Sequence, residues 1–296
     1  MGSEMCIRDR FGGGIAQELA TDKHGNVYVC GNVNGIVDYD PGLDSTFSTG
    51  GTNGDIFVVK YDSAANYQWH YNVGSSGTDI ARDVAVDSLG NVFVAGRFSV
   101  GFDVNPDSNI TEMMISHGSN DAFLIKLDPN GNFVWAKHVG STSDDRGMGM
   151  CTDPHGNLYL VGYFFDDIDL DPGSSSVIVQ NQGSWDAFLV SLNNNGQYRW
   201  HQVLTSSSSD RLTDVKVSEQ GVVLVTGAMS DSLTVDTNGT KIYGDNNPFY
   251  AMYDTSGFFI TAEAFSVADL SIGETVAFDK DGNYWVSGMF RNQITI

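Results

Sequence analysis

The chain repeats itself about every 65 residues, and this internal period limits its possible folds more than any other feature. A turn glycine, a short apolar strand and a second glycine recur at Gly25–Gly31, Gly90–Gly96, Gly156–Gly162, Gly221–Gly227 and Gly282–Gly288. The first glycines are spaced 65, 66, 65 and 61 residues apart, and a second column, Trp69, Trp135 and Trp200, keeps spacings of 66 and 65. A period of this length indicates a supersecondary unit that packs against copies of itself.

Each period contains four strand signals, which are clearest in the second copy at residues 83–87, 92–96, 121–128 and 133–139. Phe123, Ile125 and Leu127 lie on one side of the third strand, while Ala122 and Leu124 lie on the other. A strand that is apolar on both faces needs a neighbouring sheet on each side. We therefore expect the first three residues and their counterparts to be buried. The counterparts are Phe57, Val59, Phe188, Val190 and Phe249.

These signals predict an all-β protein, a β-propeller built from four-stranded blades of about 65 residues. A β-solenoid is the alternative, although its coils are usually shorter. The blades are expected at about 16–74, 81–140, 146–205 and 211–265, with part of a fifth at 272–296 and hence an incomplete ring within residues 11–296. Residues 1–10 share no pattern with the repeats and are interpreted as a non-native or unstructured leader.

The composition limits the kinds of partner that this chain can bind. Lys and Arg number 15 and Asp and Glu 37, a net charge of −22, which argues against a nucleic-acid partner held by phosphate contacts. No apolar run is long enough to predict a membrane span. The three cysteines, Cys6, Cys30 and Cys151, occupy unrelated places in the repeat and predict neither a disulfide framework nor a zinc site.

Paired aspartates in the connection after the second strand suggest one cofactor, calcium. Asp38 with Asp40, and Asp169 with Asp171, precede Pro-Gly and present alternate carboxylates to a hard cation. The other two copies carry neutral replacements, Asn105 and Thr234. The alternative is an Asx-type turn in which each carboxylate accepts local backbone N–H groups.

Further ligand-binding candidates lie near the ends of strands. Asp79, Asp145 and Asp210 open successive blades, where they would either hold a cation in a central channel or cap the crossover loop. Trp185 stands where the first two copies have Gly54 and Asn120, so the repeat does not explain it. Beside Asp186 it would either stack on a sugar ring or plug the blade edge. Asp186 shares its place with Asp55, Asp121 and Asn247, which are most simply turn residues.

The sequence offers little for catalysis. No histidine lies beside a Ser or Cys in a nucleophile motif, and His117 and His138 stand alone in the sequence. Residues 128–135 faintly resemble the tryptophan-docking repeat of quinoprotein dehydrogenases, but the cofactor cage of that family is not found. We therefore expect no enzymatic activity.

The series formed by residues 84–87, 90–96 and 121–128 with Trp135 and Gly140 resembles the SBBP (seven-bladed β-propeller) repeat family of secreted and surface bacterial proteins. The loops at 38–42 and 169–173 look like a variant common in Bacteroidota proteins exported by type IX secretion. The resemblance implies an extracellular or cell-surface location and a structural, adhesive or ligand-binding role, with a glycan or a surface protein as partner. The alternative is a carbohydrate-binding or polysaccharide-processing, lyase-type propeller that uses its long-loop face.

Overall fold

The computed structural model describes residues 13–40, 42, 45–244, 247–265 and 272–289, and throughout this part of the chain the regular elements are strands. The chain divides into two compact units, residues 1–138 and 139–296. The predicted leader at residues 1–10 lies outside the described residues. The all-β prediction is confirmed for the part that the structure describes.

The first unit holds two four-stranded antiparallel sheets, blades 1 and 2. Blade 1 comprises β1 (Gly13–Thr21), β2 (Val27–Asp38), β3 (Phe47–Tyr61) and β4 (Tyr67–Val73), paired in that order. Next in the chain come β5 (Ile80–Val86), β6 (Val92–Phe98), β7 (Phe102–Asp103), β8 (Met113–Met114), β9 (Asp121–Leu127) and β10 (Phe133–Val139). Blade 2 has the order β10-β9-β6-β5, and β7 and β8 form a separate short hairpin.

The second unit repeats this arrangement in blades 3 and 4. Its strands are β11 (Arg146–Thr152), β12 (Leu158–Phe164), β13 (Ile168–Asp169), β14 (Ile178–Val179), β15 (Asp186–Leu192), β16 (Tyr198–Leu204), β17 (Arg211–Val217), β18 (Val222–Met229), β19 (Leu233–Thr234), β20 (Lys241–Ile242), β21 (Asn247–Asp254), β22 (Phe259–Ala264), β23 (Ile272–Phe278) and β24 (Tyr284–Met289). Blade 3 is β11-β12-β15-β16 and blade 4 is β17-β18-β21-β22. The pair β23-β24 packs on blade 4, where Val276 joins the core cluster of Leu224 and Tyr250.

The third strand of each blade forms the core, as the sequence predicts. Every residue of β9 and of β15 is buried. The predicted core residues are all buried, namely Phe57, Val59, Phe123, Ile125, Leu127, Phe188, Val190 and Phe249. Burial on both faces means that each of these strands is covered from two sides.

The recurring second glycine has a steric reason. Gly96 pairs with Phe123 of the third strand, opposite a break in register between Ala81 and Asp83 of the first strand. A Cβ at Gly96 would lie 1.9 Å from the Ile80 carbonyl oxygen. Gly31, Gly162 and Gly227 meet the first strand in the same way. The glycine column therefore marks the place where a bulged first strand approaches the second most closely.

Tryptophans join neighbouring blades within each unit. Trp69 of blade 1 donates its indole N–H to the Pro129 carbonyl in a turn of blade 2 (3.2 Å), and Trp200 donates to the Thr255 carbonyl of blade 4 (2.9 Å). Both indoles cover a turn glycine: a Cβ at Gly131 would lie 2.6 Å from Trp69, and one at Gly257 would lie 2.7 Å from Trp200. Trp69 and Trp200 therefore pack between neighbouring blades.

The structure adds a feature that the sequence does not predict. The connection between the second and third strands contains a short hairpin in blades 2, 3 and 4, formed by β7-β8, β13-β14 and β19-β20. In blade 1 the strands β2 and β3 instead extend and pair out to Asp38 and Phe47. These segments are therefore ordered backbone pairs instead of plain loops.

The short turns share one hydrogen-bond pattern. In blade 1, Asp62 Oδ1 accepts from the backbone N–H groups of Ala64 and Asn66, and Oδ2 accepts from the Asn66 side-chain amide, each at 2.9 Å. Turns with the same Asp-to-Asn bonds occur at Asp22–Asn26, Asp87–Asn91, Asp128–Asn132, Asp153–Asn157 and Asp279–Asn283. The side-chain hydrogen bond from Asn66 lowers the pKa of Asp62.

We expect Gly131→Ala to destabilise the protein by about 1–3 kcal/mol more than Gly90→Ala. Both glycines have left-handed backbone, with φ of 83° and 86°, so both variants carry the same backbone strain. Only the Cβ at position 131 would overlap an indole, whereas the one at position 90 would contact Pro129 at an ordinary 3.5 Å. Urea denaturation measures the difference, and equal losses would contradict the Trp69 contact.

We expect Asp62→Asn to lower the free energy of unfolding at pH 7 and to lose this effect in acid. A carboxyl whose pKa is lowered on folding contributes stability above its unfolded pKa of about 3.9, and this contribution disappears as the pH falls through the lowered value. Denaturation of the variant and the wild type at pH 7 and near pH 3 measures the change.

Blade 3 supplies the control, since its turn uses Asn193 and Gln197, with the Asn amide donating to the Gln oxygen at 2.8 Å. The double variant Asp62→Asn with Asn66→Gln copies that turn and should recover stability at pH 7. A single variant that is equally destabilised at both pH values would contradict the ionic contribution.

Candidate functional site at the long-loop ends of the blades

Each blade has two different ends. The short Asp-to-Asn turns connect the first strand to the second and the third to the fourth, so they lie at one end. The connection between the second and third strands and the crossover to the next blade lie at the other, which we call the long-loop end. Rigid strands that carry variable connections at one end provide a usual location for binding residues.

The aspartates that open the blades, Asp79, Asp145 and Asp210, are fully buried at the long-loop end. Asp79 Oδ2 accepts from the backbone N–H of Ser75 (2.6 Å) in the crossover loop, and Oδ1 accepts from the N–H of Ser99 (3.2 Å), just after the second strand. Asp145 and Asp210 also accept from the residue after the second strand, Phe165 and Ser230. This geometry supports the capping role that the sequence left open for these three aspartates.

Burial raises the pKa of Asp79, and it raises the pKa of Asp210 to about 6. Hydrogen bonds from Ser75 and from Ser206 and Ser230 oppose this rise by favouring the charged form. The carboxylates are therefore held inside the protein at a desolvation cost that serine hydroxyls and backbone N–H groups partly offset.

The paired aspartates after the second strand form Asx-type turns. Asp169 Oδ1 accepts from the backbone N–H groups of Asp171 (3.1 Å) and Val177 (2.8 Å), and Asp171 Oδ1 accepts from Gly173 (2.8 Å). Asp38 and Asp40 make the same bonds to Asp40, Thr46 and Gly42. Calcium binding by Asp38, Asp40, Asp169 and Asp171 stays a prediction, and an ion would have to share oxygens that already order these turns.

Asp186 is fully buried at the start of β15, and its Oδ2 accepts from the backbone N–H of Gln182 four residues earlier (2.6 Å). Asp55 and Asp121 make the same bond to Gly51 (2.8 Å) and His117 (3.0 Å). Burial raises the pKa of all three carboxyl groups. Each aspartate thus fixes the end of the long connection, and in blade 3 this places Trp185.

Trp185 belongs to an aromatic cluster in blade 3. Its ring centroid lies 5.1 Å from that of Phe165 and 6.0 Å from that of Tyr163. The Arg146 guanidinium lies over Tyr163 at 5.6 Å and forms a salt bridge with Asp144. Trp185 and Phe165 are half-buried, so the cluster packs against the blade edge and also presents aromatic surface to solvent. Plugging and ligand stacking are therefore compatible roles.

The structure brings His117 and His138 together, although they stand alone in the sequence. Their Nε2 atoms are 3.5 Å apart, and the buried carboxylate of Asp121 lies 3.7 Å from His138 Nε2. Burial lowers the pKa of His138 to about 4, so this ring is neutral at pH 7. Sequence analysis missed the cluster because only the strand register places residue 138 beside the start of the third strand.

A cleft of about 440 Å³ lies at the opposite end from the long loops, among the short turns of blades 1 and 2. Lys23 and Lys60 line it, but both ammonium groups donate to turn carbonyls, those of Ser88 and Pro129. Its lysines therefore join the two blades.

This chain is similar in sequence to a known repeat family and to two known proteins. Residues 68–97 match the family model of the SBBP beta-propeller repeat. An uncharacterized WD repeat-containing protein of Acanthamoeba polyphaga mimivirus is 26% identical over 60% of this chain and 14% of its own length. The regulatory protein FlaEY of Caulobacter vibrioides is 25% identical over 94% of this chain and 30% of its own length. This chain thus spans less than a third of either relative.

Among solved structures, the Pan2 WD40 domain of Neurospora crassa matches with a TM-score of 0.33 and 10% identity, over 95% of this chain and 90% of that domain. The described residues form no helix that is long and apolar enough to traverse a lipid bilayer. The matched segment covers the last strand of blade 1 and the first two of blade 2, which belong to the 65-residue period. Residues 68–97 of this chain therefore match the SBBP beta-propeller repeat, and the other blades repeat the same strand arrangement at the 65-residue period.

Proposed function

We propose that this chain is a non-catalytic, extracellular or cell-surface propeller segment that binds a glycan at the long-loop end of blade 3. Its location outside the cell rests on the resemblance to secreted and surface SBBP proteins. The observation that carries the binding role is the aromatic cluster of Trp185, Phe165 and Tyr163, which the repeat itself does not require.

The internal repeat separates scaffold from site. The buried aspartates, the glycine opposite the bulge and the apolar third strand recur in blade after blade, so they are explained by folding. Trp185 takes the place of Gly54 and Asn120 in blades 1 and 2. A large aromatic residue at a position where the fold accepts glycine is better explained by a contact outside the blade.

The chemistry around Trp185 suits a neutral sugar. Aromatic faces stack on the apolar face of a pyranose ring, while the nearby Arg146 and Asp144 offer a donor and an acceptor to hydroxyl groups. The net charge of −22 disfavours polyanionic partners, nucleic acids and acidic polysaccharides alike. We therefore propose neutral glycans, free or on a surface glycoprotein, as the ligand class.

The absence of catalysis is also part of the proposal. Asp186, the carboxyl nearest in sequence to Trp185, is fully buried and bonded to Gln182, which keeps it from a substrate. Cys30 is fully buried, and burial raises the pKa of its thiol, so it is a poor nucleophile. A lyase-type activity on polysaccharides is the alternative.

We expect Trp185→Ala to abolish binding on an array of neutral glycans. Trp285→Ala is the matched control, because Trp285 is 64% exposed on β24 and lies outside the cluster. Binding that survives Trp185→Ala would contradict the site, and failure of the wild type to bind any neutral glycan would contradict the ligand class. Release of unsaturated products from a uronic-acid polysaccharide, assayed separately, would favour the lyase alternative.

A further inference from the structure

Three side chains in blade 2 converge at the long-loop end. His117 lies in the connection before β9, Asp121 is the first residue of β9, and His138 lies in β10. His138 Nε2 is 3.5 Å from His117 Nε2 and 3.7 Å from Asp121 Oδ2, and His117 Nδ1 is 3.8 Å from the same carboxylate oxygen. One donor atom from each residue falls within 4.8 Å of the other two.

We propose that His117, Asp121 and His138 form a binding site for a divalent transition metal of the zinc class. With bonds of about 2.0–2.1 Å, neighbouring ligands of a tetrahedral Zn²⁺ lie roughly 3.3–3.4 Å apart. With one donor atom from each residue the separations lie within 4.8 Å, so the exposed His117 ring has to turn toward the other two ligands to complete the geometry. Three protein ligands leave one position for water or an exogenous group.

The carboxylate and one imidazole are already fixed in place. Asp121 is fully buried, and it accepts from the His117 backbone N–H at Oδ2 (3.0 Å) and from Ser116 Oγ at Oδ1 (3.3 Å). The His138 ring packs edge-on against the buried Phe98, with centroids 5.7 Å apart. Asp121 also accepts a hydrogen bond from the Gly118 backbone N–H. A carboxylate offers about four lone-pair sites, so three hydrogen bonds still leave capacity for a metal.

His117 supplies the access. Its side chain is 61% exposed, in contrast to 23% for His138 and 0% for Asp121. The His117 ring can therefore turn on the surface to present either nitrogen, and a metal can enter from solvent and be closed over by this ring. The site therefore combines two ligands that are fixed by their surroundings with one ligand that is exposed to solvent.

The other blades indicate that the histidines are not needed for folding. In every one of blades 1 to 3, the carboxylate at the start of the third strand accepts a hydrogen bond from the backbone N–H four residues earlier. Gly51 and Gln182 donate it in blades 1 and 3, in place of His117. The counterparts of His138, three residues after the repeating tryptophan, are Asn72 and Val203. Blade 2 alone combines both histidines with the buried carboxylate, and the fold gives no reason for that combination.

The donor set selects the class of metal. Two imidazoles with one carboxylate suit Zn²⁺ and its neighbours Co²⁺, Ni²⁺ and Cu²⁺, whereas Ca²⁺ and Mg²⁺ prefer all-oxygen sites. This site is therefore distinct from the paired aspartates of blades 1 and 3, for which the sequence suggests calcium.

The test is titration of the full chain, prepared without a polyhistidine tag, with Zn²⁺ by calorimetry and with Co²⁺ by visible absorption. The wild type should bind one equivalent, with the intense d–d bands of low-symmetry Co²⁺. The variants His117→Gln and His138→Asn borrow residues that blades 3 and 1 carry at these positions, so they should fold. Each should weaken binding by roughly tenfold or more, and the double variant should lose the one-equivalent site.

The control is His155→Ala, which removes an exposed histidine of a short turn and should leave the affinity unchanged. Thermal denaturation provides a second measurement of metal binding. Zn²⁺ should raise the Tm of the wild type and of the control but not of the double variant. Equal affinity in the wild type and the double variant, or equal losses in the double variant and His155→Ala, would overturn the proposal.

Discussion

The third strand of each blade is apolar on both faces, and the rest of the described structure depends on this constraint. A strand with apolar side chains on both faces cannot leave either face in water, and every residue of β9 and of β15 is buried, including the polar Lys126 and Ser191. The second and fourth strands pair with the edges of the third strand, and its faces are covered by neighbouring side chains. In blade 2, Phe123 shares a core cluster with Ile56 and Val58 of blade 1. The blade is thus organised around its third strand.

Sequence analysis predicted this scaffold because its signals are local and repeated. Alternation with a period of two and turn residues at fixed offsets are visible within one copy. The 65-residue period repeats them, together with the glycine column, in the other copies. The sequence could also suggest the capping role of Asp79, because its position before the first strand recurs at Asp145 and Asp210.

The site features were harder to predict because they depend on pairing between distant residues. The hairpin β7-β8 has two residues per strand, too few for alternation to reveal, and Asp103 joins its ends by accepting from Asn105 and Glu112. His117 and His138 meet only through the β9-β10 hairpin. The one available signal was the alignment of the repeats. Positions 51 and 72 of the first copy correspond to His117 and His138, and this correspondence places both near the start of the third strand.

The scaffold is constant, the long-loop ends differ between blades, and amide hydrogen exchange can compare the stability of the two. Amides of Phe123, Ile125, Phe188 and Val190 should exchange only through global unfolding, while those of the long connections, including His117, should exchange through local opening. If third-strand amides exchanged as fast as those of the long connections, the third strand would not be the element that holds each blade together.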